Sequence, residues 1–402
     1  MRALPALALG LVGVAAACGD DAVSPPTGGG GAGGTSVAVG GAGGVGGGGA
    51  DASFDWGLPP GYPKPRVPAD NPITKEKVEL GRYLFYDRGL SGNGTQSCAS
   101  CHDQALAFTD GLPVGVGSTG EHHVRGAMSI ANTGYLNAFT WANPVLASLE
   151  EQALVPLFGE SPVELGLAGQ EDGLIARLQT EPAYVERFPA AFPDDSDPYT
   201  IANVVRAIAS FQRSIISYRS AWDAYNYGGM QSLSESAVRG KDLFFGERLE
   251  CFHCHGGFNF SDSVSHEGTT FEEIMFHNTG LYNVGGTGDY PPDNTGIFEF
   301  PGFPTDMGRF RAPTLRNIAL TAPYMHDGSI ETLSEVLDHY AAGGRTITSG
   351  PYAGVGSENP YKSELIAGFT LTEQERADVL AFLESLTDYE LLTDERWSNP
   401  WP

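Results

Sequence analysis

The sequence predicts a mainly α-helical chain folded as two tandem halves with long loops, and three observations predict it. Two Cys-x-x-Cys-His motifs, Cys98-Ala-Ser-Cys101-His102 and Cys251-Phe-His-Cys254-His255, stand 153 residues apart. Each follows a stretch whose apolar residues recur at helical spacing. No alternating pattern of strand length occurs along the chain. The motif is the attachment signature of a c-type haem: both thiols add across the haem vinyl groups, and the adjoining histidine supplies a nitrogen to the iron. One copy alone also suits a zinc or redox Cys-x-x-Cys site. Two copies, placed alike in two halves, predict one covalent haem c in each.

The elements follow in chain order. Met1-Arg2 and the apolar run from Ala3 to Ala17 read as a secretory signal, too short to span a bilayer as a mature helix. The run ends in Ala15-Ala16-Ala17-Cys18, close to a bacterial lipobox. Residues 1–18 are therefore expected to be a lipoprotein signal peptide, with a lipid anchor on Cys18. An ordinary small-x-small cleavage site beside an incidental cysteine is the other reading. The other four of the five cysteines belong to the haem motifs, so no disulfide is expected. Residues 19–53 carry glycine runs such as Gly28-Gly29-Gly30-Gly31, the composition of a flexible tether. The expected location is the periplasm or the cell surface, with the membrane touched only through the lipid.

The body begins near Phe54 and is long enough for two domains of ordinary size, which we assign to 54–225 and 226–402. In the first, Thr74 is placed to cap a helix that carries Val78, Leu84 and Phe85 toward the first motif. Ile201 to Ser217 repeats Val204, Val205, Ile208, Phe211, Ile215 and Ile216 at helical period. In the second, Leu233 to Phe245 leads into the second motif. Thr372 and Glu375 form a capping box for a last helix bearing Val379, Leu380, Leu383 and Leu386. This is the layout of two cytochrome c-like domains in tandem. A formal net charge of −26 argues against nucleic acid or anionic lipid as partners and suits a cationic docking partner.

Haem attachment by itself does not separate an electron carrier from an enzyme. The segment from Arg311-Ala312-Pro313-Thr314-Leu315-Arg316-Asn317 to Pro323-Tyr324-Met325-His326-Asp327-Gly328 is distinctive. So are Leu80-Gly81-Arg82-Tyr83-Leu84-Phe85-Tyr86-Asp87 before the first motif and Ala107-Phe108-Thr109-Asp110 after it. With these segments the chain resembles the bacterial dihaem cytochrome c peroxidase/MauG superfamily over residues 70–390. The resemblance implies a peroxide-reactive haem in the first domain and an electron-transfer haem in the second, with His102 and His255 on the irons.

Tyr340 stands fourteen residues after His326. At this spacing the resemblance implies the sixth ligand of the second haem, a Met in the peroxidases and a Tyr in MauG-like enzymes. Met325 lies inside the hallmark segment and His339 is offset by one. The expected ligand is Tyr340, the plain alternative being an aromatic packed on a helix. A neutral thioether favours reduced iron, whereas an anionic phenolate favours oxidised states, so the second haem is expected to store an oxidising equivalent.

By the same resemblance, Gln152 and Pro156 match the distal Gln and Pro of the first haem. Glu164, in Pro162-Val163-Glu164, matches the catalytic Glu that moves a proton between peroxide oxygens. Its spacing from Gln152 is longer than the family's, and Glu160 is the lesser candidate. The distal His that closes this haem in resting peroxidases falls near Ser118, with His122 and His123 just beyond, so an open first haem is expected. Trp141 matches the tryptophan between the haems. Thr321 and Pro323 match carbonyl ligands of an inter-haem calcium (Ca2+), but the family's Asn ligand is replaced by Gly126. Leu249 replaces a tryptophan that some MauG enzymes carry before the second motif, so the electron exit route must differ.

The lipobox, tether and lengthened distal loop further resemble the MbnH group of MauG-like enzymes, which convert a tryptophan of a copper-binding partner, MbnP, to kynurenine. The expected function is the use of hydrogen peroxide to oxidise a residue on such a partner by long-range electron transfer. Two alternatives stand beside it: a peroxidase that draws electrons from a small redox protein, and a non-enzymatic dihaem electron carrier.

Overall fold

The computed structural model of the protein describes residues 54–300 and 302–402. The expected signal peptide with Cys18 and the glycine tether at 19–53 lie outside the described residues. Helix α1 (Lys75–Tyr86) starts where the Thr74 hydroxyl accepts the Lys77 N–H. Its buried Leu80, Gly81, Leu84 and Phe85 fall on one helical face. Four shorter helices follow: α2 (Leu149–Phe158), α3 (Glu171–Thr180), α4 (Pro182–Val185) and α5 (Arg187–Ala191). The long α6 (Ile201–Ser214) lies across α1 and is buried almost all round.

The sequence period extends to Ser217, but α6 stops at Ser214. The reason is a competing partner. The Asn132 N–H donates to the Ile215 carbonyl at 2.8 Å, and the Asn132 side-chain oxygen accepts the Ser217 N–H at 2.6 Å. Tertiary hydrogen bonds thus replace the next helical ones, while Ile215 and Ile216 stay buried.

The second half repeats the arrangement with α7 (Ala221–Asn226), α8 (Glu235–Phe244), α9 (Leu333–Ala341) and α10 (Glu373–Glu384). The capping box on α10 forms as expected, Thr372 accepting from Glu375 N and Glu375 accepting from Thr372 N. A Cβ on Gly81 would sit 1.9 Å from the Ala207 carbonyl oxygen of α6. A Cβ on Gly240 of α8 would sit 1.8 Å from the Asp378 carbonyl oxygen of α10. In each half, therefore, the helix before the haem motif meets a later helix at backbone contact, through a glycine.

Among the described residues the only strands are β1 (Thr346–Ile347) and β2 (Gly354–Val355), a short antiparallel pair. One core joins Leu84, Leu157, Leu178, Phe188 and Ile208. Another joins Trp222, Phe244, Phe260, Leu337, Phe382 and Leu383. The chain end then returns to the first half. Trp397 packs with Phe85 and Phe108 and donates its indole N–H to the Ser214 carbonyl at 3.1 Å. Trp401 donates likewise to Tyr83 at 3.0 Å. No helix among the described residues is long and apolar enough to cross a membrane.

Candidate active site

Both Cys-x-x-Cys-His motifs open on a short 3-10 turn, Cys98–Ser100 and Cys251–His253. His102 Nδ1 lies 3.0 Å from the Phe108 carbonyl, and His255 Nδ1 lies 3.1 Å from the Phe260 carbonyl. A carbonyl only accepts, so Nδ1 carries the proton in each ring and Nε2 presents a lone pair, the tautomer an iron ligand needs. Phe108 and Phe260 hold left-handed backbone, φ 63° and 50°, and both are fully buried. Non-glycine residues stay in that region only where packing imposes it, and here it aims the two carbonyls at the histidines. Cys98, Cys101, Cys251 and Cys254 form no disulfide with one another.

The second motif faces a mainly apolar cavity of about 400 Å³. Cys251, Cys254 and His255 line it, and so does Tyr340 from α9. Burial, with the two thiols nearby, pushes the Tyr340 phenol well above its ordinary range. His339 is buried on the same helix but is not part of this wall. Trp141, Thr321, Pro323 and Leu249 complete parts of the lining, together with Gly126 from the first half. Gly126 uses both of its backbone groups here: its carbonyl accepts the Trp141 indole N–H at 2.9 Å, and its N–H donates to the His326 carbonyl at 2.9 Å. The Trp141 and His326 rings stand 6.5 Å apart, centroid to centroid.

Arg311 decides what this cavity fits. It is 4% exposed, its Nε donates to the Thr140 carbonyl at 3.1 Å, and its Nη2 finds only the Met128 sulfur at 2.9 Å. None of its ion-pairing atoms lies within 4.0 Å of a described carboxylate, and burial pushes it down to about 10. A buried guanidinium without an anion is costly. A cofactor bearing carboxylates supplies that anion. The donor set, apolar walls and unpaired cation together fit a haem, with Cys251 and Cys254 for attachment, His255 and Tyr340 toward the iron, and Arg311 for a propionate. Arg316, by contrast, is spoken for: it forms a bidentate pair with Asp223 at 2.8 and 2.9 Å, and its role is structural.

At the first motif, the chain after α2 folds back. Leu165 N–H donates to the Pro156 carbonyl and Leu167 N–H to the Leu157 carbonyl, both at 2.9 Å. Ser118 N–H donates to the Glu164 carbonyl at 2.7 Å. This pinned loop sets Glu164 near enough for its charge to act on Cys98 and Cys101. Burial raises the Glu164 carboxyl to about 7. Glu160 is exposed, His122 is exposed, and His123 is half-buried. Gln152 is half-buried on α2, and Pro156, lacking an N–H, offers nothing to the Gln152 carbonyl four residues earlier. The arrangement places a carboxyl that exchanges its proton near neutral pH beside a haem-attachment site.

Sequence reasoning missed Arg311 as a cofactor contact, although it opens the hallmark segment. It also missed the Phe108 and Phe260 carbonyls and the pair His277 Nε2–Asp262 Oδ2, 2.5 Å apart beside Cys254. Backbone oxygens and a pair brought together by loops leave no local signal.

The comparisons agree with this geometry. A family model described as di-haem cytochrome c peroxidase matches residues 75–231. Cytochrome-c peroxidase IdrP1 of Denitromonas iodatirespirans is 36% identical over 354 residues, covering 84% of this chain and 88% of that protein. Methylamine utilization protein MauG of Methylorubrum extorquens is 32% identical over 330 residues, covering 82% of each. The crystal structure of a MauG-like protein associated with microbial copper homeostasis is similar at TM-score 0.85 and 52% identity, covering 87% of this chain and 100% of that one. These relatives are dihaem oxidoreductases, and membership among them implies haem c as the cofactor. The chain belongs to the dihaem cytochrome c peroxidase/MauG family.

Proposed function

We propose that this protein is a MauG-like enzyme that uses hydrogen peroxide to oxidise a residue, tryptophan to kynurenine, on an MbnP-like copper-binding partner by long-range electron transfer. The observation that carries the reading is Tyr340, a phenol fourteen residues after His326 that lines the same cavity as Cys254 and His255, beside Met128 and Met325. The association of the 52% identical relative with copper homeostasis supports a copper-linked partner. The bound haems supply the iron chemistry that accepts both oxidising equivalents of peroxide. Glu164, its carboxyl near 7, takes a proton from one peroxide oxygen and returns it to the departing one. Gln152 orients the peroxide, and Pro156 keeps the Gln152 carbonyl free. The His102 and His255 rings are held in one tautomer by Phe108 and Phe260. Trp141, lining the second cavity and bonded to Gly126, bridges the two haem-bearing domains, taken as 54–225 and 226–402.

The proposal includes export, with a lipid at Cys18 and the tether at 19–53 holding the enzyme at the periplasmic or cell surface. It also includes calcium on the Thr321 and Pro323 carbonyls, which metal analysis of dialysed protein tests. The similarity to a protein named cytochrome-c peroxidase favours one second reading, peroxide reduction with electrons from a small redox protein.

One experiment separates the two. One equivalent of hydrogen peroxide is added to the diferric protein without donor, and EPR and near-infrared absorption are followed. Loss of both ferric signals together is the expected result. A response only after half-reduction would sink the MauG-like reading and leave the peroxidase.

A further inference from the structure

The cavity that holds the second haem motif has one aromatic wall residue that begins a path to the surface. Tyr290 lines the cavity and is 3% exposed. Its ring stands 5.4 Å from that of Tyr282, centroid to centroid, at 67°. The Tyr282 ring stands 6.0 Å from that of Tyr352, at 84°. Tyr352 is 40% exposed. Three rings at edge-on contact therefore lead from the cavity wall to solvent.

Their phenols differ in a way that bears on oxidation. Tyr290 donates to the neutral Asn278 side chain at 2.9 Å and accepts the Leu281 N–H at 3.2 Å, so no base stands ready for its proton. Tyr282 donates to the Asp327 carboxylate at 2.7 Å. A phenol gives up an electron far more readily when its proton has an acceptor already in hydrogen-bond contact. The Tyr352 phenol has no such partner in the protein but meets water.

We infer that Tyr290, Tyr282 and Tyr352 form a relay that carries oxidising equivalents from the second haem cavity to an outside electron donor at Tyr352. The inference rests on the reading that peroxide is the oxidant. In each passage Tyr282 sends one electron inward across Tyr290 and hands its phenolic proton to Asp327. It then takes one electron from Tyr352 and recovers the proton from Asp327. Tyr352 releases its own proton to water and is restored by one electron and one proton from the donor. Hydrogen peroxide takes up two electrons and two protons to give two waters, so each turnover needs two passages. A donor that reaches Tyr352 need not enter the cavity, which suits a protein partner.

The test compares the wild-type holoprotein with Tyr282→Phe and Tyr352→Phe, which keep the rings and their packing. Each receives one equivalent of peroxide and an excess of N-acetyltyrosinamide as phenolic probe. The haem absorbance is followed, tyrosyl radical is measured by rapid-freeze EPR, and mass spectrometry locates probe adducts. The expected result is an adduct at Tyr352 in the wild type, reduced at least tenfold by Tyr282→Phe and absent in Tyr352→Phe, with the same haem absorbance change in all three. Wild-type labelling of Tyr352 in the Tyr282→Phe variant, or wild-type adducts only elsewhere, overturns the relay and leaves peroxide chemistry standing. A wild-type haem that does not respond to peroxide overturns both.

Discussion

At the scale of single residues, the proposed reading turns on two side chains, Glu164 and Tyr340. Burial raises Glu164 to about 7, so it holds its proton over much of the acidic range and becomes a base near neutrality. Reactivity with peroxide is expected to rise from pH 6 to 8 with a midpoint near this value, measured by stopped-flow absorbance. Glu164→Gln should lower the rate by roughly 10²-fold or more and flatten that profile. The same shift bears on stability. A carboxyl near 4.5 unfolded and about 7 folded binds more protons in the native state, so its contribution falls as pH rises between those values. In the proposed reading Tyr340 ligates the other iron. Tyr340→Met should raise the potential of the second haem by at least about 0.1 V, within the range axial ligands span, in a spectroelectrochemical titration.

At the scale of elements, the helix before each haem motif crosses a later helix at backbone contact. Gly81 of α1, facing α6, and Gly240 of α8, facing α10, leave no room for a methyl group against the facing backbone. Backbone cannot swing aside as a long side chain does. Gly240→Ala is therefore expected to cost about 3 kcal/mol, the upper part of the usual overpacking range, in urea unfolding. Its effect should appear first in the absorbance of the second haem, because Phe244 and Leu383 from these helices pack with Cys251. The buried Arg316–Asp223 pair ties the hallmark segment to α7 in the same region. Breaking one member of such a pair typically costs more than removing both, since the other charge stays buried.

At the scale of the whole molecule, the two halves are not independent. The last residues of the chain cover the first half, where Trp397 packs on Phe108, and the Phe108 carbonyl holds His102. Trp397→Ala is expected to destabilise the protein by about 3–5 kcal/mol. Magnetic circular dichroism resolved by haem should show the first haem perturbed more than the second. If the second changes first, the return of the chain does not couple to His102. The second cavity likewise draws on both halves, since Gly126 and Trp141 come from sequence far before Cys251.

The sequence by itself determined the helical class and the caps at Thr74 and Thr372, because first-turn hydrogen bonds are local, and it pointed to the two Cys-x-x-Cys-His motifs as haem sites, because that covalent chemistry is local too. It also pointed to Tyr340, because α9 carries the residue at a fixed spacing from the hallmark segment. Tertiary structure alone decided where α6 ends, since Asn132 comes from another loop to take the next hydrogen bonds. It alone set Glu164 rather than exposed Glu160 beside the first motif, through a loop pinned by Pro156 and Ser118. And only the fold made Arg311 a buried cation with no anion, for its burial and its missing partner are properties of the cavity, not of the chain.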